Sequence, residues 1–356
     1  MTADLADTHD ELRAVARDLL KTDGTDWRLF AEAGWLGLEL PAELDGVEAT
    51  FAEVAIILEE LGRAAACTPY LGATVLGVGT LLALAPGPSR DGLLRAAGSG
   101  AAVPVAALVD GADDSLAGRV PFVLERSSDG LRLRGRAALV PAAADAGRLL
   151  LLALDPAGTP VVVNLDPDTA GLAVTAQPVL DATRHFGLVS ADGVQLAEEA
   201  VLRFEGDPQA AVRRLLDRAA VAIACDSLGL SEAMLDATVA YASAREQFGR
   251  PIGSFQAVKH ACADMLVQVS VARRLVSDAV HRLAGDDAEA SVAASMAKAY
   301  TCAAAVSVAG KAMQLHGGMG YTWESGIHVY LKRAALGRSL FGSPAAHRRR
   351  LASRYT

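Results

Sequence analysis

The chain has 356 residues, more than one ordinary hydrophobic core holds, so two or three domains are expected. Apolar residues make up 52% of the sequence and aromatic residues only 5%, which favours closely packed helices over an aromatic-rich β-sandwich. The net charge of −9 argues against a nucleic-acid partner for the chain as a whole. The basic stretch 332–350 is a local exception, which a pair of solvated helix faces explains.

The N-terminal part, residues 1–98, is predicted to form a helical domain. In "FAEVAIILEELGRA" the apolar residues recur at steps of three, three, one and three, which places them on one helix face: Phe51, Val54, Ile57, Leu58 and Leu61. The acidic N-terminus lacks the apolar region of a signal peptide. The apolar run 71–88 is short, rich in Gly and ends in Pro-Gly-Pro. A buried core helix is therefore preferred to a membrane span, and a cytoplasmic location is predicted.

The middle part, residues 99–206, is predicted to form a β-domain. Short β-prone runs such as "VPFVLE", "RLLLLALD" and "TPVVVNLD" are separated by turn signals such as "SSDG", "PAG" and "PDTAG". This regular spacing predicts a small antiparallel barrel or sandwich.

The C-terminal part, residues 207–356, returns to long helices. They are predicted over about 209–245, 255–283 and 288–316, and shorter ones follow. The second carries an apolar stripe at steps of three and four: Val258, Cys262, Met265, Val269, Ala272, Val276 and Val280. Glycines in "AGDD" and "HGGMG" end the second and third helices, as C-caps do.

The stretch "AREQFGRPIGSFQAVKH" offers a candidate anion site. Arg245 lies in the last turn of a long helix, glycines and Pro251 then force a turn, and Ser254 is placed to N-cap the next helix. A guanidinium facing the free amides of a helix start suits a phosphate or pyrophosphate. Alternatively, Arg245 only complements the C-terminal dipole of its own helix.

The stretch "QLHGGMGYTWE" contains a second glycine motif. Its glycines follow a helix and not a strand, which excludes a Rossmann or P-loop assignment. Locally they can be a C-cap and turn, with Gln314 as a surface amide. No metal site or disulfide framework is indicated, because the cysteines form no CxxC motif: Cys67, Cys225, Cys262 and Cys302.

Taken together, these stretches resemble the acyl-CoA dehydrogenase family. Specific matches are "YASAREQFGRPIGSFQAVKHACADM" and "AMQLHGGMGYTWESGIHVYLKRA", and weaker ones include "WRLFAEAGWLGLELPAELDG" and "DATRHFGLVSADGVQL". The resemblance implies an α+β multidomain fold, with an N-terminal helical domain, a central antiparallel β-barrel and a C-terminal four-helix bundle. It also implies oxidation of an acyl-CoA thioester to its trans-2-enoyl form, with electron-transfer flavoprotein as the electron acceptor.

The resemblance further implies FAD, held across a subunit interface of a homo- or hetero-tetramer. By motif match Arg245 contacts the FAD pyrophosphate. By the same match, the rest of that pocket is lined by Gln247, Phe248, Ile252, Phe255 and Gln256. Gln314, Gly317 and Gly318 reach the flavin nucleotide of the neighbouring subunit.

The sequence departs from the family pattern in two respects, the catalytic base and the segments that contact the flavin ring. The family's usual base is a Glu before a Gly, 21 residues beyond the GGxG motif, and this chain has Phe341 there. A second base position, 26 residues before the pyrophosphate Arg, holds Ala219. Asp217 and Asp226 lie on the same helix as weak candidates, better explained as ion-pairing or positioning residues. The "TE" and "GSD" segments that contact the flavin ring in the family have no clear match.

Three hypotheses follow. In the first, the chain is the base-lacking subunit of a heteromeric α2β2 enzyme, as in actinobacterial members acting on steroid side chains. In the second, it is a homotetrameric dehydrogenase with a relocated base. In the third, it is a non-catalytic structural subunit of the same fold. The sequence does not assign the acyl group.

Overall fold

Helices form both ends of the chain and strands form its middle, as predicted. The computed structural model describes residues 2–21, 25–111, 114, 116, 119–128 and 130–354, and side chains from residue 8 onward. The residues group into two compact units. One contains Met1–Gly24, Ala55–Ala66 and Ala220–Thr356, and the other contains Thr25–Val54 and Cys67–Ala219. The boundaries of the three predicted domains stay a prediction.

The second unit is built on one eight-stranded sheet. Its strands are β1 (Pro104–Ala107), β2 (Phe122–Ser127), β3 (Gly130–Pro141), β4 (Arg148–Leu154), β5 (Pro160–Leu165), β6 (Leu172–Ala176), β7 (Phe186–Leu196) and β8 (Val201–Leu202). They follow the order β6-β7-β3-β2-β4-β5-β8, with β1 beside β4. All residues of β5 are buried, whereas β2 alternates buried and exposed residues because only one of its faces meets the core.

The prediction of a central β-domain is confirmed, but its sheet is not antiparallel throughout, as the predicted antiparallel barrel would be. β1 and β2 both run parallel to β4, along Arg148–Leu151 and Ala153–Leu154 respectively. The other pairings in this sheet are antiparallel. β1 and β2 thus pair, one after the other, with the same edge of β4. The sheet is mixed, and its strand order ends at β6 and β8.

Short helices complete this unit: α2 (Trp27–Glu32), a π-helical segment (Leu71–Val78) that continues into α4 (Gly79–Leu82), and α5 (Pro88–Gly98). The π-helical segment is buried from Gly72 onward, so the apolar run 71–88 supplies core, as predicted. Helices α3 (Phe51–Arg63) and α6 (Pro208–Ala244) contribute residues to both units.

The first unit is helical. It contains α1 (Thr2–Lys21), α7 (Gln256–Ala284), α8 (Ala290–Leu315), α9 (Ile327–Ser339) and α10 (Pro344–Ala352), besides its parts of α3 and α6. The predicted stripe on α7 is buried at four positions: Met265, Val269, Ala272 and Val276. α8 is long and apolar enough to cross a membrane, but 67% of its apolar window is buried within the chain. It contacts α7, α9 and α10, as a core helix does.

Candidate functional site

A two-residue hairpin follows α6 and carries the first motif. Strands β9 (Glu246–Gln247) and β10 (Arg250–Pro251) pair antiparallel. Phe248 and Gly249 at the tip have φ angles of 56° and 76°. Two consecutive left-handed residues are what a tight hairpin of right-handed twist requires. The turn leaves the Phe248 side chain 91% exposed.

Arg245 lies at the base of this hairpin. Its amide donates to the Tyr241 carbonyl at 2.8 Å, and its carbonyl accepts from the Ile252 amide at 2.8 Å. The backbone is therefore fixed on both sides, while the side chain is exposed. Among the described residues the Arg245 guanidinium makes no hydrogen bond or ion pair. An exposed, unpaired guanidinium on a fixed backbone is suited to an anionic group from outside this chain.

The start of α7 is also suited to bind an anion. The prediction that Ser254 caps this helix is wrong, because its hydroxyl donates to the Pro251 carbonyl at 2.7 Å. Phe255 occupies the N-cap position and forms no side-chain cap. The first amides of α7 are thus left without a side-chain acceptor, and a helix start in that condition attracts phosphate. These features fit the pyrophosphate of a dinucleotide.

The remaining residues of the first motif surround the hairpin. The rings of Phe248 and Phe255 meet edge to face with centroids 6.1 Å apart. Arg250 lies 4.2 Å above the Phe255 ring. Ile252 and Phe255 are half-buried, and Gln247 and Gln256 are exposed. All the predicted first-motif residues therefore remain accessible to another molecule.

The second motif lies at the end of α8, which is held beside the end of α6. Tyr241 and His316 stack with centroids 4.4 Å apart and an interplanar angle of 24°. The His316 Nδ1 atom is 2.8 Å from the Ala312 carbonyl oxygen. The structure thus brings the end of the Arg245 helix and the glycine motif to one end of the helical unit. Sequence reasoning missed this stack, although Tyr241 precedes Arg245 by one helical turn and His316 stands within the motif.

The glycines of this motif present open backbone. Gly317 has a φ of 59°, which favours glycine. A Cβ atom on Gly317 or Gly318 would meet nothing within 4 Å. Gln314 is exposed beside them. The motif can therefore cap α8 and still let a ligand approach its backbone.

The first base position is a rigid apolar turn between α9 and α10. Phe341 is half-buried and has a φ of 52°, and Gly342 has a φ of 90°. The His347 Nε2 atom lies 3.0 Å from the Phe341 carbonyl oxygen. The fully buried Lys298 ammonium donates to the Gly342 carbonyl at 2.8 Å. These hydrogen bonds hold the turn firmly, but the Phe341 side chain accepts no proton.

The second base position and its neighbours lie on α6. Ala219 is wholly buried, and Asp217 is 4% exposed. Asp226 is 3% exposed and forms a buried ion pair with Arg333, whose Nη2 atom is 2.5 Å from Oδ1. Arg333 also donates to the Ala66 carbonyl at 3.0 Å. A carboxylate held in this way stabilises the fold and is poorly placed to take a substrate proton.

The stretch 101–118, where the "TE" and "GSD" segments have no match, is only partly described. Residues 112, 113, 115, 117 and 118 lie outside the described residues.

Family models match at both ends of the chain. The acyl-CoA dehydrogenase C-terminal domain matches residues 209–356, and the N-terminal domain of the same enzymes matches residues 2–91. The acyl-CoA dehydrogenase IpdE2 of Mycolicibacterium smegmatis is 33% identical over 96% of this chain and 91% of its own length. The chain belongs to the acyl-CoA dehydrogenase family.

One further relative and two solved structures are also similar to this chain over nearly its whole length. IpdE2 of Mycobacterium tuberculosis is 32% identical over 99% of this chain and 94% of its own length. The solved Tcur3481–Tcur3483 steroid ACAD has a TM-score of 0.85 at 29% identity, over 98% of both chains. The ChsE4–ChsE5 complex of Mycobacterium tuberculosis has a TM-score of 0.87 at 26% identity, over 98% of this chain and 96% of that chain.

Membership in the acyl-CoA dehydrogenases confirms several predictions. The chain is a flavoprotein oxidoreductase that acts on CH–CH groups, its cofactor is FAD and its substrate is an acyl-CoA thioester. The order of helical, β and helical parts is also confirmed. The roles of individual residues toward FAD remain predictions.

Proposed function

We propose that this chain is the base-lacking subunit of a heteromeric FAD-dependent acyl-CoA dehydrogenase. The observation that carries the proposal is the pair of empty base positions, Phe341 and Ala219. Neither side chain can accept a proton, and Asp226 on the same helix is engaged by Arg333. A carboxylate from a different chain must then remove the substrate α-proton.

The contribution of this chain is to bind and orient FAD. Arg245 and the uncapped start of α7 hold the pyrophosphate, and Gln247, Phe248, Ile252, Phe255 and Gln256 line the pocket around it. Gln314, Gly317 and Gly318 meet the nucleotide of the neighbouring subunit. When bound, FAD accepts the β-hydrogen of the acyl chain as a hydride. Because the first-motif side chains are exposed or half-buried, a second chain can complete the pocket.

Two similar structures support a heteromeric assembly. The Tcur3481–Tcur3483 steroid ACAD and the ChsE4–ChsE5 complex are each named for two proteins. We propose the same kind of pairing here, as an α2β2 tetramer that passes electrons to electron-transfer flavoprotein in the cytoplasm.

Co-expression tests the proposal. The chain is produced alone and together with a candidate partner encoded beside it, and FAD content and dye-coupled oxidation are measured with short, branched and steroid CoA esters. We expect little FAD and no turnover for the lone chain, and a flavin-loaded, active complex. In that complex Asp217→Asn should retain turnover. Robust turnover by the lone chain would contradict the proposal, and absence of FAD from every complex would favour a structural subunit.

A further inference from the structure

A cysteine, a histidine and an aspartate meet at one edge of the sheet-containing unit. The Cys67 Sγ atom is 3.8 Å from Nε2 of His185, and Nδ1 of His185 is 4.0 Å from an Asp145 carboxylate oxygen. The first distance is within hydrogen-bond range for sulfur. This order of thiol, imidazole and carboxylate matches the arrangement of an activated nucleophile, its base and the group that orients the base.

Backbone contacts fix the histidine and the aspartate beside each other. The amide of Ala142 donates to the His185 carbonyl at 2.9 Å. The amide of Asp145 donates back to the Ala142 carbonyl at 2.9 Å, which closes the tight turn Ala143–Asp145. Asp145 therefore lies next to His185 through main-chain geometry, and the cluster does not depend on long flexible side chains.

Close packing brings the cysteine to the same place. Gly72 begins the buried part of the π-helical segment five residues after Cys67, and a Cβ there would lie 2.3 Å from the Pro141 carbonyl oxygen. Only a glycine lets this segment lie so close to the turn that starts at Ala142. Thr68 accepts from the Tyr70 amide at 2.9 Å and so orders the chain just after Cys67.

The other cysteines lack this environment. Cys225 and Cys302 are fully buried. Cys262 is half-buried like Cys67, but burial raises the pKa of its thiol. A free thiol is only about 3% ionised at neutral pH, so an adjacent base decides which cysteine reacts.

We propose that Cys67 is a reactive thiol and a site of reversible modification by low-molecular-weight disulfides. The thiol proton passes to Nε2 of His185, whose Nδ1–H faces Asp145. The Cys67 thiolate attacks one disulfide sulfur, forming a mixed disulfide as the original S–S bond breaks. The departing thiolate takes the proton from His185, so Cys67 is oxidised and the departing thiol is reduced. The step uses neither the missing base nor FAD.

Competitive alkylation of the full-length chain tests the assignment. The chain is treated with limiting iodoacetamide, a neutral reagent, and the modified peptides are quantified by mass spectrometry. We expect Cys67 to react at least about tenfold faster than Cys262. His185→Gln should slow Cys67 by about tenfold and leave Cys262 unchanged, and Asp145→Asn should slow Cys67 by a smaller factor. His185 is 63% exposed in its side chain, so its replacement leaves the core intact.

A second measurement addresses the chemistry. Cystamine should form a mixed disulfide on Cys67 that dithiothreitol reverses, and Cys67→Ser should remove that adduct. Equal alkylation rates for Cys67 and Cys262, or a Cys67 rate unaffected by His185→Gln, would overturn the proposal.

Discussion

At the scale of single residues, the ion pair of Asp226 and Arg333 assigns this carboxylate a role in stability and not in catalysis. Both side chains are at most 4% exposed. Asp226→Asn should lower the free energy of unfolding by about 3–5 kcal/mol, because it removes the Asp226 carboxylate that neutralises the buried Arg333 charge. Urea denaturation of the chain measures this loss.

A double variant and a surface control test the cause of this loss of stability. Replacing both partners, as Asp226→Leu with Arg333→Met, should recover much of the lost stability, because neither charge of the pair then remains buried. Asp18→Asn is the control, since Asp18 pairs with Lys21 on the surface at 80% and 71% exposure. It should change stability by less than about 0.5 kcal/mol. A stable Asp226→Asn variant would contradict the structural role assigned to this carboxylate.

Some of these residue-level features could be predicted from sequence and others could not. The exposed Arg245 beside a helix start was predictable, because a helix end, a turn and a helix start follow each other locally. The cap at Ser254 was predicted wrongly, because its hydroxyl satisfies the preceding carbonyl of Pro251. The contact of Cys67 with His185 joins residues 118 positions apart, and only the fold brings them together.

At the scale of elements, Lys298 of α8 holds the end of α9 and the turn that follows. Its ammonium donates to the carbonyls of Gly337, Arg338 and Gly342 at 3.1, 3.3 and 2.8 Å. Lys298→Met should therefore leave buried carbonyls without donors and cost about 2–4 kcal/mol. Amide hydrogen exchange should accelerate over residues 339–343, because the turn loses its anchor.

The exposed Lys311 of the same helix provides the matched control. Lys311→Met removes the same charge and should leave both stability and exchange at the turn unchanged. Unaltered protection of residues 339–343 in Lys298→Met would contradict the anchoring role assigned to Lys298.

Prediction of elements succeeded where the signal was local. The long helices α6, α7 and α8 lie close to their predicted ranges. A sustained apolar stripe marks α7, and glycines mark the ends of α7 and α8. The parallel pairing of β1 and β2 with β4 was missed. Strand direction within a sheet depends on which distant strands meet, and β-prone runs alone do not encode it.

At the scale of the whole molecule, a cofactor that touches two chains must couple binding to assembly. If FAD lies between this chain and its partner, FAD strengthens the association of the two chains, and their association strengthens FAD binding by the same factor. Saturating FAD should then lower the dissociation constant of the complex by at least about tenfold, since FAD binds the assembled state better. Analytical ultracentrifugation of the apo and FAD-loaded complexes measures both constants.

Arg245 is the residue through which this coupling should act. Its guanidinium is exposed and unpaired among the described residues, so Arg245→Gln should reduce the effect of FAD on assembly and leave the apo association unchanged. Arg28, which is 81% exposed on α2 and pairs with Glu32, is the matched control. Arg28→Gln should retain the full effect. If FAD leaves the dissociation constant of the native complex unaltered, the cofactor does not lie between the chains, and the proposed sharing of its pocket is wrong.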